Sequence, residues 1–518
     1  MTERTALLGR VDALSPGRRA LFELLLLEEA AGGRGTREDT GRAPRATASA
    51  PLSFGQERMW LHERLQPGGG AYNTSMALRL LGPLDPGTLR RSLEEVVRRH
   101  ETLRTTFSEE RGSPVQTAGP PFSVALPMAD VAALPAEARE AEARRLAGRE
   151  LLRPFDLWRG PLFRVLLLRL EREEHVLSVS MHHIVSDAWS MGVLVRELSV
   201  LYQAFAAGRP SPLPELPMQY AELVRWQRGR LEGEGLERLL NWWRERLAGA
   251  PEVVEVPTDL PRPAVRCFRG GLRVRQLPPA LAAAAARLGG EQSATLFIVL
   301  LAAFELLLHA RTGRSDLVVG VDVANRTRPE AEAIIGLFVN QLVLRVGLQG
   351  DPPFLELLER VRETAAGAYA HQDLPFGHLV EELAPERSLS RNPLFQVMFG
   401  LYNVPAPAAE EGGLEVRPLE LEAGAAVFDL SLYVQESAEG LACRLGYDSD
   451  LYTPATAERL LEDYELLLRW ALEAPEARVS EILARLEAEK RRRQAEEGGE
   501  LRKSRAAVLK TARRRTAE

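Results

Sequence analysis

Four prolines in the eight residues 210–217 (PSPLPELP) divide this chain. Proline lacks an amide donor and fixes φ, so neither a helix nor an inner strand runs through such a segment. It reads as an extended connector between two stretches that each mix helix and strand patterns. Before it, Leu89–Arg98 carries Leu89, Leu93, Val96 and Val97 at helical spacing, and Ala136–Leu152 predicts a helix with an Arg/Glu solvent face. Leu162–Leu170 and His175–Met181 predict strands joined by the charged hairpin Glu171–Glu174, and Met191–Phe205 is again helical. After the connector, Ala294–Ala310 reads as a helix and Asp316–Val323 as a strand. Both halves are therefore α/β, with expected lobes at 51–215 and 216–478.

The two ends differ from this body. Residues 1–30 predict a short helical segment opened by Ser15-Pro16, and residues 31–50, rich in Gly, Ala, Thr and Arg, predict a flexible linker. Residues 479–518 hold twelve Lys and Arg against seven Asp and Glu, a net +5 beside −11 for the rest. This reads as a charged, partly helical tail, solvated or docking an acidic partner through Lys490–Arg493 and Arg513–Arg515.

Composition excludes several classes. A formal charge of −6 and a pI near 6.0 argue against coating nucleic acid or an anionic membrane. The longest apolar run, Ala294–Phe304, is too short to span a bilayer, and the N-terminus lacks a signal-type apolar core. Cys267 and Cys443 form neither a metal-ligand spacing nor a disulfide framework, which fits a reducing cytoplasm.

Chemistry concentrates in the segment HVLSVSMHHIVSDAWS, residues 175–190. Read as a strand, it places Leu177, Val179, Met181 and His183 on one face and Ser178, Ser180 and His182 on the other. His183 stands where strand gives way to loop, and Asp187 precedes a helix. Nucleophile elbows, phosphate-binding Gly loops, H-E-x-x-H and C-x-x-C are all missing from the sequence. A histidine without an obvious covalent nucleophile suits acid–base assistance to transfer between two bound substrates.

HHIVSDAWS (182–190) resembles the H-H-x-x-x-D-G signature of condensation domains from nonribosomal peptide synthetases. LSFGQERMW (52–60), RHETLRTTF (99–107), YAELVRWQR (220–228), IGLFVNQLVLR (335–345), HQDLPF (371–376) and RNPLFQ (391–396) resemble further segments of that family, in its order. The resemblance covers about residues 51–475. It implies two chloramphenicol-acetyltransferase-like α/β lobes in a V, with an active-site tunnel between them. It also implies amide formation between a donor acyl or peptidyl thioester and an aminoacyl acceptor. Both would be carried on phosphopantetheine arms of partner carrier proteins, with no intrinsic cofactor and no metal.

By the same resemblance, His183 is the catalytic histidine, which deprotonates and positions the amine or stabilises the tetrahedral intermediate. His182 is structural. Asp187 pairs with an arginine, for which Arg104 or Arg99 is expected. Ala188, Trp189, Asn340 and Gln341 are expected to line the tunnel, whereas Trp226, Phe338 and Phe395 are expected to pack as core. Two positions depart from the pattern. Ala188 replaces the motif glycine, a strain of about 1–2 kcal/mol if that residue needs φ > 0. Gly377 stands where the family often has glutamate. The intact double histidine resembles the type that joins an L-configured donor to an L-amino acid, with a starter type taking a fatty acyl donor as the alternative. Neither an adenylation motif nor a carrier L-G-G-x-S follows, so the sequence reads as a free-standing condensation enzyme or a piece of a larger assembly line. Two other readings stay open: an ester-forming or coenzyme A-dependent acyltransferase, and a catalytically silent module that recruits a partner enzyme.

Overall fold

The computed structural model describes residues 49–496, except 66–67, 69, 252, 384–387, 403–413, 420–424 and 438–439. The expected N-terminal helical segment and nearly all of the linker lie outside the described residues.

The first half runs β1 (Ala50–Pro51), α1 (Phe54–Leu65), β2 (Asn73–Leu81), α2 (Pro86–Arg99), β3 (Thr105–Glu110), β4 (Ser113–Ala118), β5 (Met128–Asp130), α3 (Ala136–Leu151), β6 (Phe163–Glu171), β7 (Glu174–His182) and α4 (Ala188–Ala206). The second runs α5 (Tyr220–Arg230), α6 (Gly233–Leu247), β8 (Gly270–Leu277), α7 (Pro279–Glu291), α8 (Leu296–Thr312), β9 (Asp316–Val323), β10 (Asn340–Gly347), α9 (Phe354–Ala370), α10 (Phe376–Leu383), β11 (Val397–Tyr402), β12 (Glu415–Leu419), β13 (Leu430–Ser437), β14 (Gly440–Asp448) and α11 (Pro454–Glu473). The proline-rich connector forms no helix or strand.

Local chemistry explains the main elements. Asp85 caps α2 by accepting from the amides of Gly87 and Thr88, and Pro86 pre-sets the first turn. Leu89, Leu93, Val96 and Val97 then face the core. Helix α8 is apolar on all sides, so it is buried as a central helix. Thr295 caps its start and Gly313, at φ 67°, ends it.

Strands β12-β2-β7-β6-β5 form one sheet and β10-β9-β11-β13-β14-β8 another, while β1-β4-β3 make a small third. Helices α2 and α4 cover one face of the first sheet around Leu93, Leu177 and Val179. Helix α3 covers the other, with Ala143 and Ala147 against Leu168 and Val176. The second lobe's core gathers α8, α9 and α11 on the six-stranded sheet. A third cluster joins the halves: Leu52, Ile184 and Val185 pack with Tyr220, Ile334 and Leu337.

Two boundaries depart from the sequence expectation. Strand β12, from the second half, pairs antiparallel with β2 of the first. Its pairing covers β2, which would otherwise present an open edge. The expected tail begins inside the fold, since residues 479–496 form a helix whose Val479, Ile482 and Leu486 are buried in the second core. Arg493 of that helix pairs with Glu462 at 2.8 Å. Residues 497–518 lie outside the described residues. No single described helix is long and apolar enough to cross a membrane.

Helix α8 carries one anomaly. Glu305 is fully buried, and neither carboxyl oxygen has a hydrogen-bond partner. Burial pushes this carboxyl well above its ordinary 4.5. The folded state therefore holds a proton that the unfolded chain releases, and stability falls as pH rises above about 4.5. Glu305→Leu should be more stable than the wild type by about 1–3 kcal/mol near neutral pH. That advantage should shrink toward acid pH when denaturant midpoints are compared at about pH 5 and about pH 7.5.

Candidate active site

Strand β7 ends at His182, and His183 opens a single 3₁₀ turn, His183–Val185, one residue earlier than a continued strand would allow. The turn gives the two rings different environments. His182 is buried, and its Nδ1 accepts from the Ile184 amide at 3.1 Å. Burial drives its pKa down to about 3, so it stays neutral. His183 is part-exposed, and its Nδ1 meets the Ser186 carbonyl at 2.6 Å. A carbonyl only accepts, so Nδ1 carries a proton, and in the neutral ring the lone pair lies on Nε2. Gln56 of α1 fixes the turn from outside, donating to the Ile184 carbonyl at 3.1 Å. His183 therefore has the tautomer and the exposure of a general base, and His182 holds the turn.

Asp187 caps α4. Its Oδ1 receives the Ser190 amide at 2.8 Å and hydroxyl at 2.6 Å. Its Oδ2 receives the Phe338 amide at 3.0 Å, across the lobe junction. Its ion-pair partner is Arg326, at 3.0 Å, with both side chains almost fully buried. This corrects the expected pairing with Arg99 or Arg104. Arg99 is bound bidentately by Glu197 at 3.0 and 3.1 Å, and His100 shares that carboxylate at 2.9 Å. Burial alone would raise Glu197, but His100 and Arg99 hold it down at about 2. Arg104 is engaged by the Gly119 carbonyl and Glu101. Both arginines are thus committed to contacts that lead away from Asp187. The signal for Arg326 was its position three residues past the apolar strand β9.

Arg326 also donates to the carbonyls of Ala331 and Ile334 and stacks 4.1 Å from the Phe338 ring centroid. Ser190 Oγ bridges the amide and carbonyl of Gly336. Glycine is required there, because a Cβ would sit 2.3 Å from the Tyr220 ring. The Tyr220 hydroxyl donates to the Leu337 carbonyl at 2.6 Å.

The remaining expected residues divide. Ala188 is the first residue of α4, is exposed, and is not among the described residues with positive φ. The alanine in place of glycine therefore strains nothing. Trp189 lies on the outer side and donates to the Glu332 carbonyl at 2.9 Å. Asn340 and Gln341 border a cavity with Arg58, Phe338 and Phe376. The Asn340 amide is spent on the backbone of Gln372, Leu374 and Phe376. Gln341 accepts from Arg58 at 2.9 Å. Phe395 is core, whereas Phe338 and Trp226 border an adjoining cavity of about 370 Å³. Gly377 has open space around it. Sequence reasoning missed Asp322, the one acid within the otherwise apolar end of β9. It accepts from the Tyr433 hydroxyl at 2.8 Å and lies within electrostatic reach of His183. Among the described residues, no group of three or more His, Cys, Asp or Glu could hold a metal ion.

The family described as Condensation domain matches residues 47–492. This chain belongs to the condensation domain family. It is 43% identical over 471 residues to one of the linear gramicidin synthase proteins of Brevibacillus parabrevis, a match covering 90% of this chain but only 9% of that protein's length. Its fold is similar to the X-domain from teicoplanin biosynthesis, with TM-score 0.75 and 31% identity over 85% of this chain and 98% of that one. It is also similar to the first condensation domain of the calcium-dependent antibiotic synthetase, with TM-score 0.73 and 26% identity over 84% of this chain and 99% of that domain. The two α/β lobes thus form the chloramphenicol-acetyltransferase-like architecture of condensation domains.

The corrected pairing is open to a double-mutant cycle. Asp187→Ala and Arg326→Ala should each cost about 3–5 kcal/mol of unfolding free energy, because each strands a buried charge. The two should be strongly non-additive. Asp187→Ala with Arg104→Ala should add to within about 0.5 kcal/mol, the behaviour of sites that share no partner.

Proposed function

We propose that this condensation domain forms an amide bond between a donor acyl or peptidyl thioester and an aminoacyl acceptor, both presented on phosphopantetheine arms of carrier proteins. The observation that carries the reading is the tautomer of His183: Nδ1 is committed to the Ser186 carbonyl, which leaves the lone pair of the neutral ring on Nε2, in a turn whose Ile184 and Val185 pack at the lobe junction. In the reaction the acceptor nitrogen attacks the thioester carbon. His183 Nε2 takes one N–H proton and passes it to the departing sulfur as the C–S bond breaks, leaving an amide and a free thiol. His182 and Asp187 hold the turn and the junction and stay out of the proton transfer. Holding both arms between the lobes supplies the larger effect, since positioning of two reactants is worth about 7–11 kcal/mol. The partners are donor and acceptor carrier proteins or neighbouring synthetase modules, and a cytoplasmic setting fits the unpaired cysteines Cys267 and Cys443.

A second reading has a specific observation behind it. An X-domain of this fold forms a complex with OxyB in teicoplanin biosynthesis, which makes enzyme recruitment the competing role. A recruiting surface has no use for a histidine held in the basic tautomer, and on that ground we favour catalysis.

The test offers a panel of donor- and acceptor-loaded carrier proteins to the purified chain and weighs the acceptor products intact. Wild type should yield a mass matching donor plus acceptor. His183→Ala should lose about 10²–10⁴-fold in single-turnover rate with an unchanged melting curve. Full activity in His183→Ala would exclude the base, and a product formed only on hydroxyl acceptors would make the enzyme an ester synthase.

A further inference from the structure

His183 accounts for one N–H of an attacking amine. An amine has two such bonds and a lone pair, and the lone pair must face the thioester carbon. The second N–H needs an acceptor on the opposite side of the nitrogen. Asp187 has no room for it, since the Ser190 amide and hydroxyl, Arg326 and the Phe338 amide already occupy its oxygens.

Asp322 has that room. It is the penultimate residue of β9, four positions before Arg326, which grips Asp187, itself four positions after His183. One buried ion pair therefore ties the strand end that carries Asp322 to the turn that carries His183. Tyr433 of β13 donates to Asp322 at 2.8 Å, and the Tyr433 ring is stacked on Tyr402 with centroids 4.7 Å apart. Gln341, the cross-strand partner on β10, stands opposite Asp322 in register and is itself fixed by Arg58. A carboxylate offers about four acceptor positions, and Tyr433 fills one of them here. The side chain keeps some exposed surface even though protein surrounds it. Burial pushes its carboxyl above the ordinary range, against the pull of Tyr433, His183, Gln341 and Arg58. The charge is under-compensated by the protein alone, and a donor from a ligand would complete its shell.

We propose that Asp322 binds the amino group of the acceptor, holding the nitrogen between its carboxylate and Nε2 of His183. The inference deepens the amide-forming reading and rests on it. One N–H points to Asp322 from the second lobe, and the other points to His183 from the first. The lone pair is left to the donor carbon. The same carboxylate gives the junction a preference for amine-bearing over amine-free acyl arms.

The test is a binding comparison that needs no turnover. The probes are alanyl-pantetheine with its thioester replaced by an amide, and the propionyl counterpart that lacks only the amine. Wild type should bind the alanyl probe at least about tenfold more tightly, a difference of about 1.4 kcal/mol. Asp322→Asn, which keeps the shape, should erase most of that preference while leaving propionyl affinity unchanged. Tyr433→Phe, which leaves the carboxylate but frees it to swing, should erase part of it. An equal preference in wild type and Asp322→Asn overturns the assignment, as does a wild type that binds the two probes equally or binds neither. If wild type makes amide product on loaded carriers yet shows no amine preference, Asp322 alone is refuted. If the preference depends on Asp322 but no amine acceptor is ever acylated, the amine site stands and the amide-forming function fails.

Discussion

The structure depends on one buried carboxylate. Asp187 sits at the start of α4 and collects donors from its own helix, from Arg326 and from the Phe338 amide. Taking this charge out of water is costly unless every lone pair is used, so the surroundings must arrive in one arrangement. That requirement couples a corner of the first lobe to the segment 326–338 of the second. Ser190, bonded to both backbone groups of Gly336, repeats the coupling three residues on. The ion pair is thus a registration device between lobes more than a source of net stability.

Placement of the His183 ring follows from that registration. The turn holding His183 is closed at one end by the buried His182 and at the other by the Asp187 cap, with Gln56 bonded to its middle. Two adjacent residues of one type thereby acquire opposite roles. Burial keeps the first ring neutral and structural, and the Ser186 carbonyl sets the tautomer of the second. The second lobe places Asp322 and Gln341 opposite each other on adjacent strands.

Much of this was legible in the sequence, for identifiable reasons. Periodicity located α2 and β9 because each has a single buried face or a continuous buried run, and the proline connector marked the division of the halves. The double histidine at a strand end stood out because polar residues interrupt an apolar row there. Contacts distant in sequence were not legible. The partner of Asp187 lies 139 residues away at Arg326, and the arginines of the resembling segment, Arg99 and Arg104, are satisfied elsewhere instead. Crossing of β12 to the first sheet and packing of residues 479–496 into the second core were equally hidden. Edge coverage and helix docking depend on tertiary neighbours, and the net charge of the tail masked its three buried apolar residues. Ala188 looked like a strained departure only because backbone conformation is invisible in a motif.

The account stands on His183 being held ready as a base before any substrate arrives. Long-range nitrogen–proton NMR on histidine-labelled protein, with His183→Ala used to assign the ring, reads this state directly. The predicted spectrum of the substrate-free protein shows the neutral form of the His183 ring as the Nδ1–H tautomer, with an unprotonated Nε2. A ring carrying its proton on Nε2 instead, with a bare Nδ1, would contradict the bond to the Ser186 carbonyl and remove the basis for its catalytic role.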